Sequence, residues 1–175
     1  MKILAISGST REKSSNEAIL SFIKNTFKET CEVLIFKGIY NLPHFNPDID
    51  QENPPQEVLD FRQLIEKSDA VIICTPEYVF SLPGTLKNAL EWTVSANVFS
   101  YKPIGLIVAS SLGDKAMESL DIIMKTLIQT EVPNDAKLLI SGSRAKFNSD
   151  SKLTDKETTL KITNLVDAVI SSIKV

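Results

Sequence analysis

The chain has 175 residues, 43% hydrophobic and 23% charged, enough apolar material for one globular domain with a buried core. A net charge of −3 provides no basic footprint for nucleic acid. The two cysteines, Cys31 and Cys74, form no Cys-x-x-Cys pair or Cys/His cluster, so neither a zinc site nor a thiol mechanism is indicated.

Residues 3–6 are a short apolar run and read as a first buried strand. The chain enters it without the long apolar stretch of a signal peptide, and no apolar run nears membrane-spanning length, so a cytoplasmic protein is expected. The strand empties into Ser7-Gly8-Ser9-Thr10-Arg11-Glu12-Lys13-Ser14-Ser15-Asn16. A helix follows, with Ile19, Phe22, Ile23 and Phe27 on one face, and Ser14 and Glu17 have capping-box spacing. Small hydroxyl residues, one arginine and a helix N-terminus together favour an anion, because free N–H groups, the positive dipole end and a guanidinium converge. The loop is neither G-x-x-x-x-G-K-[ST] nor G-x-G-x-x-G. A capped helix beside a solvated arginine would satisfy the same residues.

Val33-Leu34-Ile35-Phe36 is the second strand. Residues 38–55, with Pro43, Pro47, Pro54 and Pro55, form a long loop of the kind that is often functional or a lid. The only histidine, His44, lies in it and reads as exposed packing rather than a catalytic base. Asp48, Asp50 and Glu52 read as a solvated face. Val58, Phe61, Leu64 and Ile65 place a second helix on the sheet. Ala70-Val71-Ile72-Ile73-Cys74 is the third strand, with Cys74 as buried packing. Pro76 stops it. Ser81 is a candidate N-cap, Pro83 suits a first helical turn, and Leu86, Ala89, Leu90 and Val94 recur at helical spacing.

Val98, Phe99 and Tyr101 follow in a connection and suit local packing, with an oligomer surface or a substrate wall as alternatives. Residues 104–109 are the fourth strand and Ser110-Ser111-Leu112-Gly113-Asp114 its outgoing loop. Leu120, Ile123, Met124, Leu127 and Ile128 face inward from the next helix, and Met117 and Met124 fit core filling. Residues 137–140 are the fifth strand. The polar stretch 141–152 is expected to be mobile. Thr154 and Glu157 suggest another capping box, before a final helix bearing Ile162, Leu165, Val166, Val169, Ile170 and Ile173.

Five strands alternating with five helices predict an α/β fold over residues 1–175: a doubly wound five-stranded parallel sheet of flavodoxin-like order 2-1-3-4-5. Its ligand crevice would lie between strands 1 and 3. Loops 8–16 and 75–80 follow those two strands, and loop 110–113 flanks them.

Gly8-Ser9-x-Arg11-x-x-Ser14-x-Asn16 resembles the phosphate loop of the NAD(P)H-dependent FMN reductase family. Thr75-Pro76-Glu77-Tyr78, then Ser81-x-Pro83-Gly84-x-Leu86-Lys87-Asn88-Ala89, resembles that family's flavin-ring loop and following helix. The resemblance spans nearly the whole chain and extends to quinone, azo-dye and chromate reductases. It implies that Ser9, Arg11, Ser14 and Asn16 hold the FMN phosphate. It implies that Pro76, Glu77, Tyr78 and Val79 line the isoalloxazine, largely through backbone groups. Ser110, Ser111 and Gly113 would lie near the dimethylbenzene side or the ribityl chain. NADPH or NADH would be co-substrate, with no catalytic side chain and no metal. A homodimer or homotetramer is implied, with the helix after the Pro-Glu-Tyr loop in the interface. Two positions depart from the family: Val79 stands where asparagine is usual, and Ser110-Ser111-Leu112-Gly113-Asp114-Lys115 replaces a loop that is often Gly-Gly-rich. A flavodoxin-like electron carrier and a non-catalytic ligand-binding protein are the alternatives.

Overall fold

The structure is a computed structural model describing residues 1–50, 52–148 and 150–173. Gln51 of the long loop, Ser149 of the polar stretch, and Lys174 and Val175 at the end of the expected domain lie outside the described residues. The strands are β1 (Lys2–Ser7), β2 (Glu32–Phe36), β3 (Ala70–Thr75), β4 (Ile104–Ala109) and β5 (Lys137–Ile140). All pair in parallel, in the order β2-β1-β3-β4-β5. Between them run α1 (Ser15–Thr26), α2 (Pro47–Asp50), α3 (Gln56–Glu66), α4 (Gly84–Glu91) and α5 (Asp114–Ile128), and α6 (Lys156–Ser171) closes the chain. Five of these helices are the expected ones; α2 is a single turn inside the long loop.

Burial explains the strand compositions. Every residue of β3 and β4 is buried, and so are Ile3 to Ser7 of β1, so their runs are continuously apolar. The edge strands β2 and β5 are only partly covered. Register then fixes the site's position. Ser7 lies opposite Cys74, Thr75 opposite Val108, and Ala109 opposite Ile140. The loops leaving β1, β3, β4 and β5 therefore start at one level along one end of the sheet.

Several local expectations change. Helix α1 is capped as predicted on one side, with Ser14 Oγ accepting from the Glu17 N–H at 3.1 Å. The Glu17 carboxylate, however, accepts from the N–H of Lys13 at 3.2 Å, one residue before the cap. Ser81 is not an N-cap: α4 starts after Pro83, and Ser81 instead pairs with Tyr78. Helix α4 also ends before Val94, which is 59% exposed, and the Thr93 hydroxyl donates to the Leu90 carbonyl at 2.7 Å just past its end. At α6 the cap is Asp155, accepting from the Thr158 N–H at 2.9 Å, rather than Thr154. In the connection after α4, Phe99 is buried while Tyr101 is exposed.

The long loop is strapped to α4 and the residues just after it. The Pro43 carbonyl accepts from Trp92 Nε1 at 2.8 Å and from Asn88 Nδ2 at 3.0 Å, and Asn88 Oδ1 accepts from the Phe45 N–H at 2.8 Å. Phe45 packs edge-on to Trp92 with ring centroids 5.1 Å apart. Asp50 is not part of a solvated face: it is buried and paired with Arg62. Arg62 also donates to the Trp92 carbonyl at 2.7 Å and to Ser95 Oγ at 3.2 Å, so one guanidinium ties α2, α3 and the end of α4 together. His44 is exposed.

Candidate functional site

At the carboxyl end of the sheet, an open crevice of about 170 Å³ is lined by Ser9, Arg11, Ser14 and Asn16 from the first loop, Pro76, Glu77 and Tyr78 from the third, and Ser110 and Ser111 from the fourth. Ser143 and Arg144, from the segment after β5, complete it. Nine of the eleven expected residues thus share one cavity. Val79 and Gly113 are not among its lining.

Glycine at position 8 lets the first and third loops meet. A Cβ there would lie 2.6 Å from the Thr75 Cβ, while the Gly8 N–H donates to the Cys74 carbonyl at 2.8 Å and extends the β1–β3 ladder by one rung. The hydroxyls beyond it are set as donors. Ser9 Oγ accepts from the Arg11 N–H at 3.3 Å and Ser14 Oγ accepts from Glu17, which leaves each hydroxyl proton free for another acceptor. Backbone N–H groups of Ser15 and Asn16, in the first turn of α1, have no partner among the described residues. Asn16 is buried, with Oδ1 accepting from the Cys74 thiol at 3.2 Å, so its amide NH2 remains the available donor. Burial pushes the Cys74 thiol well above its usual range and keeps it protonated, which suits a packing role.

Charge in the crevice is one-sided. Arg11 and Arg144 form no ion pair among the described residues. Two nearby carboxylates are committed elsewhere. Glu17 pairs with Lys37, and Glu77 Oε2 accepts from the N–H groups of Lys115 and Ala116 at 3.0 Å each. Glu77 therefore caps α5, whose own N-cap is Gly113 and offers no side chain. A carboxylate at a helix N-terminus is favourable by both dipole and charge-assisted bonding. This contact joins the third loop to the fourth across nearly forty residues of sequence, and sequence spacing carries no sign of it. Gly113 itself shapes the turn: its φ is 111°, and a Cβ would lie 2.6 Å from Leu139.

The tip of the third loop is a two-residue turn. Tyr78 and Ser81 exchange two backbone hydrogen bonds of 3.0 Å around Val79 and Phe80, whose φ values are 52° and 56°. Positive φ at both central residues is the type I′ pattern that asparagine and glycine normally supply. Val79 is 95% exposed and points to solvent, so it does not line the crevice in this structure. The turn uses the Tyr78 N–H, while the N–H groups of Glu77 and Ser111 have no partner among the described residues.

Ser143 and Arg144 were missed because the polar stretch after β5 carried no periodic signal. It forms a turn of 3-10 helix at Ser143–Lys146, with Ser143 buried, and a bridge between Phe147 and Leu153. Among the described residues, no helix is long and apolar enough to cross a membrane, and no cluster of three or more His, Cys, Asp or Glu is placed to hold a metal ion.

Residues 1–144 match the family model described as NADPH-dependent FMN reductase. An NAD(P)H-dependent FMN reductase of Pseudomonas aeruginosa is 30% identical over 159 residues, 89% of this chain and 85% of that protein. The NADH-dependent flavin reductase subunit 2 of Lactobacillus johnsonii is 31% identical over 169 residues, 90% of this chain and 89% of its own length. Among solved structures, the flavoenzyme NAD(P)H:(acceptor) oxidoreductase FerB of Paracoccus denitrificans superposes with a TM-score of 0.78 at 26% identity, covering 98% of this chain and 96% of that one.

Proposed function

The chain belongs to the NADPH-dependent FMN reductase family and is an FMN-using NAD(P)H oxidoreductase, and we propose that its crevice holds the flavin and that a quinone, azo compound, free flavin or similar small acceptor takes the electrons. The observation that carries this reading is the crevice itself. Its lining is rich in hydrogen-bond donors, with two guanidiniums unpaired among the described residues, and its one carboxylate is spent on a helix cap. That donor set fits a phosphate.

Ser9, Arg11, Ser14 and Asn16 hold the phosphate through hydroxyl, guanidinium, amide and backbone donors. Pro76, Glu77 and Tyr78 form one wall for the ring, and Ser110 and Ser111 the other. Val79 stands at the rim, where a partner subunit or an acceptor would meet it, and Gly113 sets the path of the fourth loop. The free N–H groups of Glu77 and Ser111 are the backbone donors available where negative charge develops, and fixed donors of this kind lower the barrier because they need no reorganisation. FMN, when bound, would supply hydride chemistry between a nicotinamide and the acceptor. The protein positions and desolvates it, and no side chain acts as a covalent catalyst. The assembly is a homo-oligomer in the cytoplasm.

The test is spectroscopic. Protein loaded with FMN should lose its visible flavin absorbance on anaerobic mixing with NADPH or NADH, and regain it on adding a quinone. Protein that binds FMN but is bleached by neither donor would be an electron carrier instead. Failure to bind FMN would leave the crevice with another ligand.

A further inference from the structure

The turn after β5 is fixed at both ends. On one side, the Gly142 N–H donates to the Ser111 carbonyl at 3.1 Å, the Ser143 N–H to the Ser110 carbonyl at 3.0 Å, and Ser141 Oγ to the Leu112 carbonyl at 3.1 Å. Gly142 makes the entry possible at φ 61°, a left-handed value that favours glycine. On the other side, the Thr154 N–H donates to the Lys146 carbonyl at 2.9 Å, and Lys146 Nζ lies 3.3 Å from the carboxylate of Asp155, the α6 cap. Between these anchors sits Arg144, on the wall of the crevice that also holds Arg11, Ser9 and Ser14. Its guanidinium has no hydrogen-bond or ion-pair partner among the described residues, whereas its neighbour Lys146 is paired.

A phosphate monoester carries nearly two negative charges at neutral pH. Arg11 supplies one compensating charge, and no lysine lines this crevice. We infer that Arg144 is the second cation of the phosphate site, so that two arginines delivered by the β1 and β5 loops close on the terminal phosphate and select FMN over unphosphorylated riboflavin. This rests on the FMN reading above and adds to it a residue from outside the family's phosphate-loop motif. An arginine held on a pinned turn loses less conformational freedom on binding than one on a free loop, which favours affinity.

The experiment is titration of wild-type, Arg144→Ala and Arg144→Lys proteins with FMN and with riboflavin, followed by flavin fluorescence, with thermal melts of each protein without flavin. FMN affinity should fall about 10- to 100-fold in Arg144→Ala, the range for a lost charge-assisted contact. Riboflavin affinity should not change, and Arg144→Lys should recover part of the loss. Unflavinated melts should coincide, because Arg144 is exposed; if Arg144→Ala is unstable, Arg144→Lys and the effect of inorganic phosphate on wild-type and variant melting carry the test. Equal losses for FMN and riboflavin would place Arg144 on the ring or in the scaffold and overturn the inference. So would unchanged FMN affinity. Absence of FMN binding by the wild-type protein would overturn the parent reading as well, a result distinct from either.

Discussion

A β-branched side chain at a φ of 52° costs energy that asparagine would avoid. Val79 occupies such a position at 95% exposure, so no packing in this chain compensates the strain. Val79→Asn is therefore expected to raise stability by about 1 kcal/mol, within the usual cost of a non-glycine residue in this region. In a domain of this size that is a melting-temperature rise of about 2–4 °C. An unchanged or lower melting temperature would show that the turn relaxes at no cost. The family resemblance marked position 79 as a departure from an expected asparagine and assigned it to the ring wall. The backbone gives a different reason to expect asparagine there: it tolerates the left-handed turn.

Whole elements were read well where one face repeats and poorly where a single polar contact decides the packing. Helix α3 shows both. Val58, Phe61 and Ile65 announced its buried face, and Arg62 lies on that same face, buried with them. A charge on an apolar stripe demands a partner, and Asp50 is that partner, twelve residues earlier in a run that composition alone presents as solvated. Asp50→Ala would leave the guanidinium buried without its anion and should cost about 3–5 kcal/mol in denaturant unfolding. Replacing both residues with apolar ones of similar volume should cost much less, because the desolvation of both charges is removed together. A loss below about 1 kcal/mol in the single variant would mean that water reaches the pair and screens it as at a surface.

At the scale of the molecule, the topology was legible because strand and helix alternate, and the alternation admits few handed arrangements. The meeting of loops 8–16, 75–80 and 110–113 followed from that order. What was not legible are the contacts that close the site from far along the chain: Glu77 on α5, and Arg144 on its turn. The turn is tied to α6 through Asp155 and Lys146, which makes the global acid stability informative. Hydrogen bonds from Thr158, then the charge of Lys146, hold the Asp155 carboxyl below its ordinary 3.8. The Lys161 ammonium holds Glu157 below its ordinary 4.5. In the unfolded chain both groups take up protons at those ordinary values, while the folded chain keeps them ionised to lower pH. The unfolded state thus binds more protons as acid is added, and stability must fall with pH. The contribution is fully present above about pH 5, begins to fade through the unfolded values, and is lost once the lower folded values are passed. Asp155→Asn combined with Glu157→Gln should therefore lower the melting temperature at pH 7, and the deficit should shrink between pH 5 and pH 3, flattening part of the decline. Asparagine still caps a helix, so the deficit at neutral pH reports mainly the lost charge interactions, and its fading in acid reports the protons. A decline as steep as that of the wild-type protein would locate its acid sensitivity in other carboxylates.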